Sequence, residues 1–184
     1  MFAHLEVRCA KSYTELPRAL TGTSLGHMAR WIWIVQDAAV DFAKVYESVD
    51  TVLLGRRTYE LTRQPGAPPW PQSWQVYVFS RTLPPQDHPG VTVVRADAGA
   101  RVAALRAAPG REIWLFGGGS LFRSLLEAKQ VDLVEVLVMP VLLGGGIPLL
   151  EAGAPLTQLA LEHVQKYASG LVGLRYRVPV AAAV

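Results

Sequence analysis

The sequence predicts an α/β fold whose mainly parallel sheet ends in an antiparallel edge hairpin. Short apolar, β-branched runs alternate with segments of helical spacing up to about residue 140, which is typical of parallel strands joined by helices. Two strand-like segments then flank Ser169-Gly170 with no helix between them, which favours a closing hairpin. Hydrophobic residues make up 51% of the 184 positions, enough for the core of one domain, 1–184.

In the first half of the chain, β-branched runs predict the strands, and apolar residues every three or four positions predict the helices. Proline interrupts both patterns between Gln64 and Pro71, so this segment is predicted to be a loop. The elements in order are a strand at 5–10, a helix at 40–49, a strand at 51–54, a helix at 58–63 and a strand at 75–79.

The second half continues the same alternation. Asp97 is a candidate N-cap, and Pro109-Gly110 lies beyond the end of the helix that it begins. The elements in order are a strand at 91–94, a helix to 106, a strand at 112–116, a helix at 120–128, a strand at 133–139, and hairpin strands at 159–167 and 171–178.

Charge and hydropathy exclude several classes of protein. The net charge of +3 is spread along the chain without a basic run that contains aromatic residues, so nucleic acid is not implied. The longest apolar stretch, Val131 to Leu143, contains Asp132 and Glu135 and is too short to span a bilayer. The mild positive excess instead suits an anionic small molecule.

Cysteine and histidine usage predicts neither a disulfide nor a metal site. Cys9 is the single cysteine, which fits a reduced, cytoplasmic setting. The four histidines are scattered, and no metal-ligand spacing joins them to each other or to Cys9.

A triple glycine is the most informative motif. The apolar run Ile113 to Phe116 ends in Gly117, Gly118 and Gly119, and Ser120 and Leu121 begin a helical pattern. Such a turn lets a ligand approach bare backbone, and the free N–H groups of the helix suit a phosphate. A glycine-rich turn without a ligand is the alternative.

Two other turns follow predicted strands. Gly55, Arg56, Arg57 and Thr58 come after one apolar run, and Ser80-Arg81 comes after another. Guanidinium groups bind phosphates through paired hydrogen bonds, and ligands of open α/β sheets lie outside the carboxyl ends of the strands. A solvated helix start and an ordinary turn are the respective alternatives, but the common placement of three segments favours a phosphate-containing ligand.

These segments together resemble the dihydrofolate reductase-like superfamily, which has a three-layer fold. The chain is most similar to the C-terminal reductase domain of the bifunctional riboflavin-biosynthesis deaminase–reductase and to its stand-alone relatives. The resemblance covers about residues 31–178, and its motifs lie at 50–60, 78–82, 113–121 and 140–149.

The resemblance implies NADPH as cofactor and hydride transfer to a small heterocycle of the pterin, dihydrofolate or ribosylamino-pyrimidine type. It assigns phosphate contacts to the Gly-Arg-x-Thr turn, the 2′-phosphate end to the Ser-Arg pair, and the pyrophosphate to the glycine turn. The cofactor-binding residues implied are Gly55, Arg56, Arg57, Thr58, Ser80, Arg81, Gly117, Gly118, Gly119, Ser120 and Leu121.

The resemblance also implies a carboxylate on the first helix that holds the heterocycle. Asp41 is the nearest candidate and Asp37 is the second. Either residue can equally be the N-cap of the helix that begins near residue 39.

The chain departs from the family pattern at residues 13–30. The first strand normally continues into a Ser-Leu-Asp-Gly-like turn that lines the nicotinamide, and this turn is missing here. A local reading-frame shift and true divergence are the two explanations. A nucleotide-binding protein without turnover is therefore the alternative function.

A homodimer is also expected from the resemblance. The apolar strand Leu133 to Met139 is a candidate for pairing or packing across a two-fold axis. An ordinary core strand is the alternative for this segment.

Overall fold

The computed structural model describes residues 5–9, 37–65, 67–142, 149–150 and 152–179. The atypical segment 13–30 and the glycine loop Gly144 to Pro148 lie outside the described residues. One sheet runs through the described part of the chain, with the strand order β4-β3-β2-β5-β1-β6-β8-β7. Its strands are β1 Leu5–Cys9, β2 Val49–Gly55, β3 Gln75–Phe79, β4 Thr92–Val94, β5 Glu112–Gly117, β6 Leu133–Val138, β7 Ala160–Lys166 and β8 Val172–Arg177.

The strands from β4 to β6 pair in parallel, and β8 and β7 join them in antiparallel pairs. The predicted mainly parallel sheet with an antiparallel C-terminal hairpin is therefore confirmed. Since β7 runs in the same direction as β6, its carboxyl end lies at the same edge of the sheet as those of the parallel strands.

Four helices are described on the two faces of this sheet. They are α1 Phe42–Ser48, α2 Arg56–Thr62, α3 Ala98–Ala107 and α4 Gly119–Glu127, with a short 3-10 turn at Pro85–Asp87. Residues of α1 and α2 pack with Val52, Leu54 and Trp114 on one face. Residues of α3 and α4 pack with Leu53 and Leu115 on the other. This division follows from the alternation of side chains along a strand.

The predicted ends of the helices and strands match the observed ones to within one or two residues. The reason is that the buried strands and the helices that cover them have clear apolar patterns in the sequence. The strands β2 and β5 are apolar on both faces, and Leu53, Leu54 and Leu115 are almost completely buried. Asp97 caps α3 as predicted, because its carboxylate accepts a hydrogen bond of 2.9 Å from the Ala100 N–H.

Pairing of the strand Leu133 to Met139 with a second copy across a two-fold axis is excluded, while packing of this strand's face across such an axis stays a prediction. The strand β6 pairs with β1 on one side and with β8 on the other, so its backbone hydrogen bonds are already used. Leu133 and Val134 are buried, as the alternative of an ordinary core strand requires, whereas Val138 at the end of the strand is 45% exposed. The edge strands of this sheet are β4 and β7.

No helix in the described ranges is long and apolar enough to cross a membrane.

Candidate functional site

Two strand-to-helix turns meet at the carboxyl edge of the neighbouring strands β2 and β5. The turns are in backbone contact, because a Cβ atom added to Gly118 would lie 3.2 Å from both the N and the Cα atoms of Gly55. A Cβ atom added to Gly117 would lie 3.0 Å from the Cγ2 atom of Thr58. Only glycine at these positions allows the turns to approach so closely.

Gly118 also requires glycine for its backbone conformation. Its φ angle is +122°, a region that residues with a side chain rarely adopt. This conformation ends β5 and begins α4, so that α4 points away from the junction with Gly118 as its N-cap.

The first turn of α4 has backbone N–H groups that the hydrogen-bond ladder of the helix itself does not use. The N-cap Gly118 has no side chain to accept a hydrogen bond, and the first turn carries no acidic residue. The N–H groups of Gly119, Ser120 and Leu121 precede the first N–H of the helix ladder, which Phe122 donates to the Gly118 carbonyl over 2.8 Å. These groups and the helix dipole favour an anion. The side chain of Leu121 is buried in the core, so only its backbone can contribute to a site.

The second turn contributes arginines. Arg56 Nη1 donates to Thr82 Oγ1 over 3.2 Å, and Arg56 Nε lies 3.6 Å from Glu60 Oε1. Arg57 is exposed, and no hydrogen-bond or ion-pair partner for it occurs among the described residues. The sequence analysis predicted two cations at this edge of the sheet, and both arginine side chains are exposed there.

The turn after β3 is fixed by the hydroxyl of Ser80. Its Oγ atom accepts hydrogen bonds from the N–H groups of Thr82 and Leu83 over 3.3 and 3.0 Å. Ser80 thus shapes this turn, while the exposed Arg81 projects from it.

Arg95 is a fourth arginine at this edge, and the sequence analysis missed it. It directly follows β4, and its Nη2 atom donates to the Leu83 carbonyl over 2.9 Å. The rule that selected Arg56 and Arg81, a polar residue just after a strand, applies to Arg95 as well.

The candidate acid Asp41 is the N-cap of α1. Its Oδ1 atom accepts a hydrogen bond of 3.3 Å from the Lys44 N–H, and its Oδ2 atom lies 3.3 Å from Lys44 Nζ. The Lys44 N–H, followed by the Lys44 side chain, lowers the pKa of Asp41 below its ordinary value. The N-cap alternative from the sequence analysis therefore describes the observed contact.

Asp37 fixes the hairpin that joins β7 and β8. Its Oδ2 atom accepts a hydrogen bond of 3.1 Å from the Ser169 N–H, and its Oδ1 atom accepts one of 2.9 Å from the Ala39 N–H. The Ser169 side chain contributes most to a lowered pKa of Asp37, and the Ala39 and Ser169 N–H groups add to it. Neither carboxyl group is therefore a ready proton donor at neutral pH.

A cleft of about 610 Å³ lies between α1 and the face of β6, β8 and β7. Asp41 and Lys44 line it from the helix side, and Glu135 and Arg175 line it from the sheet. Arg175 Nη1 lies 3.1 Å from Glu135 Oε1, and its Nε atom lies 3.6 Å from Glu162. The sequence analysis missed these charged residues because they come from strands far apart in the chain.

Tyr167 lies at the carboxyl end of β7 and also lines the cleft. Its ring passes close to Gly173, where an added Cβ atom would lie 3.6 Å from Cε2. Burial, and then the negative charges of Asp37 and Glu135, raise the pKa of the Tyr167 hydroxyl above its ordinary value. The hydroxyl therefore keeps its proton and can act as a hydrogen-bond donor in the cleft.

A metal centre is not formed by the residues that the structure describes, since they contain no group of three or more His, Cys, Asp or Glu side chains able to hold an ion.

Known proteins of the same fold share this arrangement of strands. The chain superposes on a proposed riboflavin biosynthesis protein from Shewanella sp. PV-4 with a TM-score of 0.72 and 22% identity, covering 98% of this chain and 100% of that one. A pyrimidine reductase-like protein from Corynebacterium diphtheriae gives a TM-score of 0.62 at 16% identity, covering 97% and 92%.

A third structure is longer than this chain. It is the Thermotoga maritima diaminohydroxyphosphoribosylaminopyrimidine deaminase/5-amino-6-(5-phosphoribosylamino)uracil reductase, with a TM-score of 0.58 and 16% identity. The match covers 97% of this chain but only 57% of that protein.

Sequence comparison agrees with the structural similarity. Two uncharacterized Bacillus subtilis (strain 168) proteins match, YwjB with 33% identity over 68% of this chain and 72% of its own length, and YyaP with 27% over 88% and 92%. The RibD C-terminal domain model matches residues 23–173. The chain therefore belongs to the RibD C-terminal domain family.

Proposed function

We propose that this protein is an NADPH-dependent reductase that transfers a hydride to a small heterocycle. The observation that supports this most is the contact between two glycine turns at the carboxyl edge of β2 and β5, with Arg56 and Arg57 beside it. Membership of a family with reductase members supports the same class of reaction.

The residues present fit NADPH. Where the two turns meet, Gly55, Gly117 and Gly118 have no side chains that would keep a ligand away from the backbone. The first N–H groups of α4 are suitable donors to a pyrophosphate. Arg81, in the turn that follows the neighbouring strand β3, supplies a cation for a 2′-phosphate. When bound, the nicotinamide supplies the hydride.

In this proposal the cleft beside α1 holds the heterocycle. Its walls combine carboxylates, guanidinium and hydroxyl groups, which suits the mixed donors and acceptors of a pterin or pyrimidine ring. Asp41 is ionised at neutral pH, so its role is to orient the ring or a water molecule. A proton then reaches the substrate from that water.

The test is a titration of the purified protein with NADPH and with NADH, followed by the fluorescence of bound nicotinamide. Tighter binding of NADPH supports the cofactor assignment, and Arg81→Ala should narrow this preference. An unchanged ratio would remove Arg81 from the 2′-phosphate site.

A screen of dihydrofolate and ribosylamino-pyrimidines then monitors the loss of absorbance of NADPH. Oxidation of NADPH that depends on one of these compounds supports a reductase. Binding without any turnover would favour the nucleotide-binding alternative.

We also propose a homodimer that uses the edge strand β7. Every residue of β7 is exposed in the single chain, and Leu161 and Val164 are 56% and 43% exposed. An edge strand that carries exposed apolar side chains, and that has no neighbour on its outer side among the described residues, is a suitable surface for a second copy. Light scattering should give twice the mass of the chain, and Leu161→Lys should shift the mass to that of a monomer.

A further inference from the structure

Each permanent cation that lines the cleft beside α1 is paired with a carboxylate that lines it as well. On the helix side, Lys44 Nζ lies 3.3 Å from Asp41 Oδ2. On the sheet side, Arg175 Nη1 lies 3.1 Å from Glu135 Oε1. Among the described residues, Lys44 and Arg175 are the lysine and arginine side chains of the lining, so both positive charges are matched before a ligand binds.

Arg175 is held by carboxylates from both of its neighbouring strands. The strand β8 lies between β6 and β7, and Glu162 on β7 brings its Oε2 atom to 3.6 Å from Arg175 Nε. The side chains of Arg175, Glu135 and Glu162 are 37%, 29% and 27% exposed, so solvent screens their charges less than those of a fully exposed pair. The guanidinium group is therefore engaged from two sides before another anion approaches.

The lining of the cleft has an excess of negative charge. It contains three carboxyl groups and two permanent cations, namely Asp41, Glu112 and Glu135 against Lys44 and Arg175. With histidine counted as neutral, the formal charge of this lining is negative by one. A phosphate monoester carries about −1.5 to −2 at neutral pH, and a partly buried lining of the same sign repels it more strongly than bulk water would allow.

Backbone donors do not compensate for this excess. The strands β6 and β8 pair with neighbours on both sides, so their N–H groups lie along the sheet and not toward the cleft. At the start of α1, the Asp41 carboxylate already accepts the Lys44 N–H. The cleft therefore differs from the edge of β2 and β5, where Arg57 has no partner among the described residues and the first N–H groups of α4 are not used by the helix.

We propose that this cleft selects an unphosphorylated heterocycle, and that Glu135 is a specificity-determining residue that excludes phosphate esters. The inference rests on the proposed function for the assignment of the cleft to the substrate. The substrate class is a pterin or pyrimidine whose substituents carry hydroxyl or amino groups but no phosphate. Glu135 acts in two ways, because its carboxylate repels the ester and also occupies the Arg175 guanidinium that would otherwise bind it.

The experiment uses two probes that differ only in a phosphate, 5-amino-6-(5-phosphoribosylamino)uracil and the same compound without its phosphate. Each is titrated calorimetrically into the wild-type protein in excess NADP+, which keeps the phosphate of the probe away from the turns. The unphosphorylated probe should bind at least about 10-fold more tightly. Equal or tighter binding of the phosphorylated probe would overturn the proposal, and so would binding of neither probe.

Glu135→Gln tests the assigned residue through a gain of binding. The substitution is isosteric, removes one negative charge and weakens the hold on Arg175, so the preference for the unphosphorylated probe should narrow about 3- to 10-fold. Exclusion of the phosphate by size alone would not respond to an isosteric change. A preference equal to that of the wild type would overturn the role of Glu135.

Glu127→Gln is the matched control. Glu127 Oε1 lies 2.8 Å from Arg123 Nε in an ion pair on α4, and α4 covers the opposite face of the sheet. The substitution changes the net charge by the same amount and also releases an arginine, but the preference between the probes should stay as in the wild type. An equal narrowing in both variants would indicate a general effect of net charge and would overturn the proposal.

Failure of this inference is distinguishable from failure of the proposed function. If the unphosphorylated probe is preferred through Glu135 but NADPH is never oxidised, selection by charge stands and the reductase proposal fails. If NADPH is oxidised with a higher kcat/KM for the phosphorylated probe, the reductase proposal stands and selection by charge fails.

Discussion

The two halves of the sheet differ in how their candidate sites are built. At the carboxyl edge of β2, β3 and β5 the site consists of backbone turns with arginines beside them, and glycines allow the turns to touch. In the cleft between α1 and the strands β6 and β8, side chains of opposite charge form the walls, as in the pair Glu135 and Arg175.

This difference has a physical consequence. The first half depends on the absence of side-chain atoms, so substitutions that add atoms should damage it most. The second half depends on charge and protonation, so isosteric changes that remove a charge should be sufficient to alter it. The substitutions below test each half by the property on which it depends.

Gly118→Ala should have the largest effect. Its φ angle of +122° strains any residue with a Cβ atom, and the new atom would lie 3.2 Å from the backbone of Gly55. Strain of this kind lowers the free energy of unfolding by about 1–3 kcal/mol. The close approach of the new Cβ atom to Gly55 adds to this cost, because it pushes the two turns apart. We expect a lower urea midpoint and a loss of nucleotide binding.

Gly90→Ala is the control for strain alone. Gly90 also has a positive φ angle, +85°, but nothing lies within 4 Å of its added Cβ atom. We expect a cost of about 1 kcal/mol from the left-handed conformation and normal nucleotide binding. If both variants lost equal stability and both bound nucleotide, the close contact of the two turns would not matter.

The difference between the halves also explains what the sequence could predict. Gly117, Gly118 and Gly119 are consecutive and follow an apolar run, so one short stretch of sequence indicates both the strand and its turn. Glu135, Arg175 and Glu162 are far apart in the sequence, and the pairing of β6, β8 and β7 brings them together. Long-range pairing is not visible in local patterns.

One irregularity of β7 shows this limit clearly. The register of β7 against β8 shifts between Leu161 and His163, so Glu162 is the extra residue of a bulge. Its carboxylate reaches both Arg175 and Arg177. Strict alternation along a regular strand would have placed Glu162 on the face opposite to His163, and no local signal in the sequence marks the bulge.

Isosteric changes in two ion pairs should have intermediate effects on the free energy of unfolding. The pair Arg106–Asp132 has two hydrogen bonds, of 2.6 and 2.9 Å, and both side chains are about a quarter exposed or less. Asp132→Asn should cost about 2 kcal/mol, between the values for surface and buried pairs. Glu135→Gln, in a more exposed pair, should cost about 1 kcal/mol or less.

Urea unfolding of both variants checks that Asp132→Asn costs more stability than Glu135→Gln, and NADPH titration of both variants measures their affinity for the nucleotide. Affinity for NADPH should be unchanged in Glu135→Gln if the nucleotide lies only at the edge of β2, β3 and β5. A marked loss of NADPH affinity would show that the two halves do not form separate sites.

Two substitutions of Asp41 distinguish a role as helix cap from a role in catalysis. Asparagine caps helices nearly as well as aspartate, so Asp41→Asn should keep the stability that Asp41→Ala loses. If the carboxylate also orients substrate or water, Asp41→Asn should lower kcat while the urea midpoint stays constant. Equal activity of Asp41→Asn and the wild type would leave the residue with the capping role alone.

The pH dependence of stability provides a second measure for Asp41. Its folded-state pKa is lowered, so its contribution is present above the unfolded pKa, about 3.9, and is lost as the pH falls through the lower folded value. The difference in stability between the wild type and Asp41→Ala should therefore shrink when unfolding is measured below about pH 4.

Tyr167→Phe should have the smallest effect at neutral pH and a distinct one in alkali. Burial, then Asp37 and Glu135, raise the pKa of the hydroxyl, so folding favours the protonated phenol. The wild type keeps this stability below the unfolded pKa, about 10, and loses it as the pH rises towards the higher folded value. Phenylalanine cannot ionise, so the variant should lose less stability than the wild type between pH 9 and pH 11.

The charges around Tyr167 allow a sharper form of this test. Glu135→Gln removes one of the two carboxylates that oppose ionisation, while the larger effect of burial remains. The ionisation of Tyr167, followed by absorbance at 295 nm as the signal that Tyr167→Phe removes, should therefore move to lower pH but stay above the ordinary value for tyrosine. A return to the ordinary value would mean that charge dominates over burial. No movement at all would mean that the Glu135 carboxylate does not act on the hydroxyl, which would contradict the close grouping of these side chains in the cleft.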